Sequence, residues 1–224
     1  MTHTLTLQSI SPVTHDTHHL VFDKPEGFDF EPGQATDFAL DKDGWREEKR
    51  PFTFVSLPEE ETLQFVIKSY PEHDGVTEQI GQMKPGDRAL IEDPWGAIED
   101  KGDGIFIAGG AGVTPFIAIL RKKLQEKGTL EGNTLVFSNQ TEADIILKDE
   151  WEAMPGLAVV YTVTDQPESD LARGQVDAGF LKDLVDVKGD VVYVCGPDGM
   201  VEALPRELSK LGVPEGHIVT EDFD

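Results

Sequence analysis

Three stretches of this 224-residue chain carry residue types and spacings suited to chemistry. The first is Ile105-Phe106-Ile107-Ala108-Gly109-Gly110-Ala111-Gly112-Val113-Thr114-Pro115, an apolar run that breaks into glycines and meets a Thr-Pro pair. Glycine lets a backbone turn sharply and approach a bulky group closely. Thr114 is expected to cap the following helix, and Pro115 suits a first helical turn, where no amide hydrogen is lost. The exposed amides and positive end of such a helix favour a phosphate. The pattern is a variant of the dinucleotide fingerprint, with Pro115 in place of the third glycine. A tight strand–helix connection without a ligand would use the same residues. The second stretch is Cys195-Gly196-Pro197, which holds the chain's one cysteine; a lone Cys is either a packed apolar group or a functional thiol. The third is Arg50-Pro51-Phe52-Thr53, which sets a cation, an aromatic ring and a hydroxyl within four residues. Read alone, it is equally a strand with an exposed Arg and a core Phe.

Other chemistries find little support. One cysteine excludes an internal disulfide and a Cys-only metal or iron–sulfur site within the chain. There is no Ser/His/Asp arrangement and no Walker loop. His15, His18 and His19 are close together, but on a strand they alternate faces, whereas metal ligands must converge. No metal is expected.

The elements that must position these residues differ between the two halves. Up to about residue 96 the chain reads as short strands: Thr4–Ile10, His18–Phe22, Ala35–Leu40, Phe52–Ser56, Leu63–Tyr70 and Arg88–Glu92. Turn signals such as Glu31-Pro32-Gly33 and Lys84-Pro85-Gly86-Asp87 separate several of them, and Gly75–Gln82 reads as a short helix. Many short strands with little helix predict an antiparallel barrel or sandwich. Glu99-Asp100-Lys101-Gly102-Asp103-Gly104 reads as a linker. Beyond it strands and helices alternate: strands Ile105–Ala108, Thr134–Ser138, Ala158–Thr162, Val191–Cys195 and His217–Thr220, with helices Pro115–Lys127, Asp149–Met154, Ala178–Leu184 and Gly199–Leu211 between them. Alternation predicts a parallel sheet covered on both faces. The expected fold is thus an N-terminal antiparallel β-barrel over 1–98, followed by an α/β parallel-sheet nucleotide-binding domain over 104–224. Arg121, Lys122 and Lys123 on the helix after the glycine turn offer a weaker pointer to an anion.

Lys and Arg total 19 against 43 Asp and Glu, a formal net charge of −24. Such a surface repels nucleic acid and anionic lipid, so neither is an expected partner. It reflects either a solubility or salt adaptation or a docking face for a basic protein. The first residues lack the basic start and apolar run of a signal peptide, and the chain is expected to be soluble and cytoplasmic.

Taken with Arg50-Pro51-Phe52-Thr53 and Cys195-Gly196-Pro197, the glycine turn resembles the ferredoxin–NADP reductase superfamily over nearly the whole chain. The resemblance implies FAD, with FMN less favoured, in the barrel and NADH or NADPH as substrate in the second domain. Arg50 and Pro51 then belong to the flavin strand, Arg50 neutralising a flavin phosphate. Phe52 would pack on the cofactor, and Thr53 would hydrogen-bond the isoalloxazine near N5. Val66, Lys68 and Tyr70 look like the next flavin segment, and Gly75, Val76 and Thr77 like a phosphate turn; Val66 and Tyr70 are equally ordinary barrel residues. In the second domain Gly110, Gly112, Thr114 and Pro115 match the family's Gly-x-Gly-x-Thr-Pro turn. Cys195, Gly196 and Pro197 would sit beside the nicotinamide C4, and Ser138 could meet either nicotinamide cofactor. Glu221 and Phe223 leave the last strand at the same edge, where relatives place an acidic or aromatic residue; an ordinary chain end would look the same. Thr53, Cys195 and Glu221 are the expected catalytic residues.

Two departures bear on function. Phe52 stands where the family usually has Tyr, which predicts weaker flavin binding. Asp165 lies where NADPH-specific relatives carry an Arg, and a carboxylate there would repel a 2′-phosphate. The expected activity is hydride transfer from reduced nicotinamide to flavin, then electron transfer to a separate acceptor such as a flavodoxin, ferredoxin or cytochrome. The alternatives are a flavin reductase using loosely bound free flavin as substrate, and a catalytically idle flavin- or nucleotide-binding regulatory module.

Overall fold

The computed structural model describes residues 1–70, 75–96 and 98–221. Its N-terminal half contains β1 (His3–Pro12), β2 (Thr17–Asp23), β3 (Ala35–Leu40), β4 (Arg50–Thr53), β5 (Thr62–Lys68), the short helix α1 (Val76–Gly81) and β6 (Arg88–Ile91). Leu5 and Leu7 of β1 turn inward while their neighbours stay wet, the period of a half-buried strand. The strands form one antiparallel sheet in the order β4-β3-β6-β1-β2-β5. β1 pairs with β6 through His3–Thr6 and with β2 through Leu7–Pro12, and a register shift at Leu7/Ser9 accompanies the change of partner. After Thr53 the chain leaves its ladder: the Phe54 amide donates to Gln34 O and the Val55 amide to Gln64 O of β5. The two ends of the sheet thereby meet, giving a nearly closed barrel. That departure explains why the strand expected over Phe52–Ser56 is displaced to Arg50–Thr53. Phe22, Phe38, Phe54 and Phe65 fill the interior, with centroid separations of 5.2–6.0 Å among Phe22–Phe38, Phe22–Phe65, Phe38–Phe65 and Phe54–Phe65.

The second half runs β7 (Gly104–Gly109), α2 (Thr114–Lys127), β8 (Thr134–Asn139), α3 (Lys148–Ala153), β9 (Ala158–Val163), β10 (Ala172–Arg173), α4 (Ala178–Leu181), β11 (Val191–Cys195), α5 (Asp198–Leu211) and β12 (Ile218–Thr220). All strands are parallel, in the order β10-β9-β8-β7-β11-β12. Every residue of β7 is buried, as a central strand covered on both faces requires. Phe106, Leu135 and Phe137 pack under α2 with Phe116 and Ile117, whereas Ile105, Ile107, Val136 and Val192 pack with Leu204 and Leu208 of α5. From β7 the chain winds outward to β8, β9 and β10, then returns to build β11 and β12 on the opposite side. The strand order therefore reverses between β7 and β11, the position at whose carboxyl ends open parallel sheets take up ligands.

Several expectations need correction. The helix expected over Ala178–Leu184 ends at Leu181, and the two-residue β10 carries too short a pattern to be read from sequence. The acidic segment at 99–104 is an ordered clamp: Lys123 Nζ lies 2.9 Å from Asp100 and 3.0 Å from Asp103, and Lys127 Nζ lies 2.8 Å from Asp103. Lys123 is thus buried against acids, and the basic face of α2 is used for structure instead of an anion. Arg121 and Lys122 likewise pair with Glu150 and Glu59.

Candidate active site

The Arg50 strand is an edge strand. Among the described residues β4 pairs only with β3, placing Thr53 opposite Ala35 and Pro51 opposite Asp37, and proline's missing amide is tolerated at an edge. The Arg50 side chain is half exposed; it donates to the neighbouring Lys49 carbonyl at 2.7 Å and lies 3.6 Å from Glu48. Among the described residues no deep partner immobilises it, so its guanidinium is available to an anion. Phe52 packs edge-on against Phe38, centroids 5.6 Å apart, which holds its ring at the rim of the barrel core. Thr53 is buried.

The second barrel segment is less uniform. Val66 is buried in the apolar cluster shared with the parallel-sheet domain, and Val76 in the barrel core. Gly75 precedes α1, and the Thr77 carbonyl accepts from Ser69 Oγ at 3.1 Å. Tyr70 is exposed. Lys68, expected at the cofactor, lies 3.0 Å from Asp16 and 3.7 Å from Asp144. Its ammonium therefore bridges the barrel to the loop after β8. Burial opposes the charge on both Lys68 and Asp16, but their mutual hydrogen bond, the Thr14 and Thr17 bonds to Asp16 and the surrounding charges together outweigh it, raising the amine's pKa and lowering the carboxyl's.

In the second domain a single 3-10 turn, Gly110–Val113, joins β7 to α2. The two glycines of the turn serve different ends. Gly110 has φ +52°, with open space where a side chain would go; its freedom is conformational. A Cβ on Gly112 would sit 2.5 Å from the Cys195 carbonyl oxygen and 2.6 Å from Gly196 Cα. Gly112 is small because the turn after β7 lies backbone against backbone on the turn after β11. The cap expected from Thr114 is absent: Val113 is the N-cap, and the Thr114 hydroxyl, already inside the first turn, donates to Ala111 O at 3.0 Å. Pro115 lies in the first turn as expected, its ring buried.

Cys195 ends β11 in register with Ala108. Its thiol donates to Glu221 Oε2 at 3.1 Å, immediately beyond β12. Burial, reinforced by the Glu221 charge, pushes the thiol's pKa well up, so at neutral pH it is a neutral donor and not a nucleophilic thiolate. Burial also raises the Glu221 pKa, partly offset by the bond from Cys195. Ser138, buried at the end of β8, pairs with Gly109. Phe223 lies outside the described residues.

Other contacts also tie the halves together. Arg121 of α2 grips Glu150 through two bonds of 2.7 and 2.8 Å and donates to the Val55 carbonyl at 2.9 Å, two residues past Thr53. Val55, Val66 and Ile98 share one apolar cluster with Val113, Phe116 and Cys195. The structure thus brings the Gly110–Pro115 and Cys195–Pro197 turns together at the sheet's switch point, and packs the chain just beyond β4 against the same domain. A cavity of about 600 Å³ also lies between the halves, lined in part by Pro12, His19, Val66, Arg121 and Lys148; neither β4 nor the Cys195 turn contributes to it. The sequence reading missed the Arg121 tie, the Lys68–Asp144 bridge and Asn139, a buried amide at the end of β8. The first two are pairings across more than 60 residues and carry no local signal; an Asn ending a buried strand could have been noticed.

Comparison with known proteins agrees with this architecture. Residues 4–99 match the oxidoreductase FAD-binding domain and residues 106–205 the oxidoreductase NAD-binding domain. Ferredoxin--NADP reductase B of Sorangium cellulosum is 30% identical over 237 residues, covering 97% of this chain and 96% of that protein. The chain belongs to the ferredoxin–NADP reductase superfamily. Another relative, NADH-cytochrome b5 reductase 2 of Mycosarcoma maydis, is 27% identical over 92% of this chain, and the chain spans 65% of that protein's length. Among solved structures, the CS-b5R domains of human Ncb5or in the NAD+ form superpose with a TM-score of 0.88 at 24% identity, covering 99% of this chain and 70% of that one; this likeness concerns the fold. As a member of the superfamily the chain has a FAD-binding domain in its barrel half and an NAD-binding domain in its parallel-sheet half. The residues present fit those groups: β4 offers a half-exposed guanidinium, whose partners Glu48 and the Lys49 carbonyl are themselves at the surface, and a ring at the barrel rim, and a glycine turn lies at the sheet's switch point. Among the described residues no helix is long and apolar enough to cross a membrane.

Proposed function

We propose that this protein is an FAD-dependent NAD(P)H reductase that delivers electrons to a separate acceptor protein. Residues 1–98 are taken as the flavin domain and 104–224 as the nicotinamide domain. The observation that carries the reading is the packing of the glycine turn on Cys195-Gly196-Pro197, in a domain that Arg121 ties to the chain just past β4. When bound, FAD supplies the chemistry of accepting a hydride from reduced nicotinamide and releasing electrons onward. Arg50 would neutralise a flavin phosphate, Phe52 would pack on the ring system and Thr53 would offer its hydroxyl to the reactive edge of the flavin. Val66, Tyr70 and the stem of Lys68, whose ammonium is held by Asp16 and Asp144, would border the flavin, and the amides from Gly75 to Thr77 would meet its diphosphate. The Gly110–Pro115 turn holds the dinucleotide pyrophosphate, with Ser138 beside it. Gly196 and Pro197 let the nicotinamide approach the Cys195 thiol, which stays protonated and keeps Glu221 oriented. Burial raises the proton affinity of the Glu221 carboxyl at the edge of this pocket.

The acceptor is inferred from relatives named for ferredoxin and for cytochrome b5; a redox protein of that kind is the proposed partner. NADH is the proposed donor, because Asp165 is exposed just past β9 and would repel a 2′-phosphate. The test is stopped-flow reduction of the purified yellow protein: rapid bleaching by NADH and slow bleaching by NADPH are expected. A protein that binds FAD but is bleached by neither would overturn the reading. Phe52, lacking a hydroxyl, supports a second reading in which free flavin is the acceptor; a colourless protein that oxidises NADH only when flavin is added would favour it.

A further inference from the structure

Asn139, the last residue of β8, is only 5% exposed. Neither polar atom of its side chain, Nδ2 or Oδ1, has a hydrogen-bond partner among the described residues. Its backbone is engaged on the β9 side: Asn139 pairs with Val163, and its carbonyl accepts from the Thr164 amide at 3.0 Å and the Thr164 hydroxyl at 3.3 Å. The residue is therefore held firmly while its amide is left unpaired. A buried primary amide without partners suffers desolvation with nothing to offset it, and a Leu or Val at this position would avoid that cost. Such an amide is explained by a ligand that brings its own acceptor and donor.

Its place in the sheet narrows the ligand. Side chains alternate along a strand, and Leu135 and Phe137 lie on the α2 face, so Asn139 continues that row. It stands one step past the Ser138–Gly109 pair, where β7 gives way to the glycine turn. The strand order puts β8 on one side of β7 and β11 with Cys195 on the other. A dinucleotide whose pyrophosphate rests on the central turn, with its pyridine end toward Cys195, must send its other half over β8 and β9.

We propose that the Asn139 side-chain amide hydrogen-bonds the adenosine-diphosphate half of the nicotinamide dinucleotide as it crosses from the glycine turn toward β9. This rests on the functional reading above. The test uses the FAD-loaded protein and two variants, Asn139→Leu and Asn139→Ala, with ADP-ribose titrated calorimetrically and the urea midpoint measured without ligand. ADP-ribose is expected to bind about tenfold more weakly to both variants, equivalent to about 1.4 kcal/mol, while Asn139→Leu is at least as stable as the parent protein. A purely structural amide, bonded to internal water, would give the opposite pattern: stability falls in both variants and affinity stays within about twofold of the parent. That outcome overturns this inference alone, provided the parent protein binds ADP-ribose. A parent protein that neither binds ADP-ribose nor is reduced by NADH overturns the functional reading itself, and this inference with it.

Discussion

Phe52 and Glu221 show how single side chains set the expected behaviour of the site. Phe52 already has its ring placed by Phe38, so adding a hydroxyl asks for no repacking. Phe52→Tyr is expected to tighten flavin binding about threefold to tenfold, the yield of one added hydrogen bond, measured by fluorescence titration of the apoprotein; unchanged affinity would mean the ring does not meet the flavin. Glu221 makes a pH prediction. Its folded-state pKa is raised by burial, so the native protein binds this proton more tightly than the unfolded chain does. Stability from this group is complete below the ordinary carboxyl range and is lost as pH rises through the raised value. Glu221→Gln removes that loss. In urea denaturation the variant should match the parent near pH 4 and become relatively more stable toward pH 7.5, while its turnover with NADH falls. A constant stability difference across pH would contradict the assignment.

Elements here are joined by turns whose glycines are not equivalent. Gly112→Ala would press a methyl into Cys195 and Gly196, forcing the turn after β7 away from the turn after β11. The expected cost is about 1–3 kcal/mol of stability, typical of overpacking, with a matching loss of NADH reduction. Gly110→Ala meets no atoms but must hold a left-handed conformation, costing about 1–2 kcal/mol, and Gly110→Asn should recover part of it. Equal effects for Ala and Asn at Gly110 would argue against a conformational cause. The clamp between α2 and the segment before β7 offers a second check. Asp103 is held down to about 2 by its bond from Lys127, against burial and with help from Lys123 and Asn133. A depressed carboxyl contributes stability above its ordinary pKa, and that contribution disappears as pH falls toward the folded value. Asp103→Asn is expected to cost about 1 kcal/mol at pH 7 after allowing for solvent screening of this partly exposed group, and almost nothing near pH 2, followed by guanidinium denaturation at each pH.

The whole molecule is defined by its charge and by the join between its halves. At a net charge of −24, an acidic redox partner is repelled at long range, and salt shortens that repulsion to about 10 Å at 0.1 M. Electron transfer to an acidic acceptor should therefore accelerate as ionic strength rises, whereas a basic acceptor should slow; second-order rates across a salt series separate the two. Among the described residues the join includes the Arg121–Glu150–Val55 link, the Lys68–Asp144 bridge, the Lys122–Glu59 pair and the cluster around Val55 and Val66. Since Arg121 takes Glu150 in a bidentate grip and reaches across to a barrel carbonyl, it fixes the chain just past Thr53 against α2.

Local pattern was sufficient for much of this. Alternation at Leu5 and Leu7, the apolar run of β7 and the Gly-x-Gly-x-Thr-Pro turn each depend only on neighbours in the chain. They therefore mark the barrel, the parallel sheet and the turn at its switch point by themselves. What needed the tertiary structure were the pairings between distant residues. Gly112 is glycine because Cys195 lies against it, Lys123 is buried because Asp100 and Asp103 surround it, and the amide of Asn139 is conspicuous only once its surroundings prove to hold no partner among the described residues. Periodicity encodes which face of an element is buried, but not what lies opposite that face; only the folded chain supplies the opposing surface.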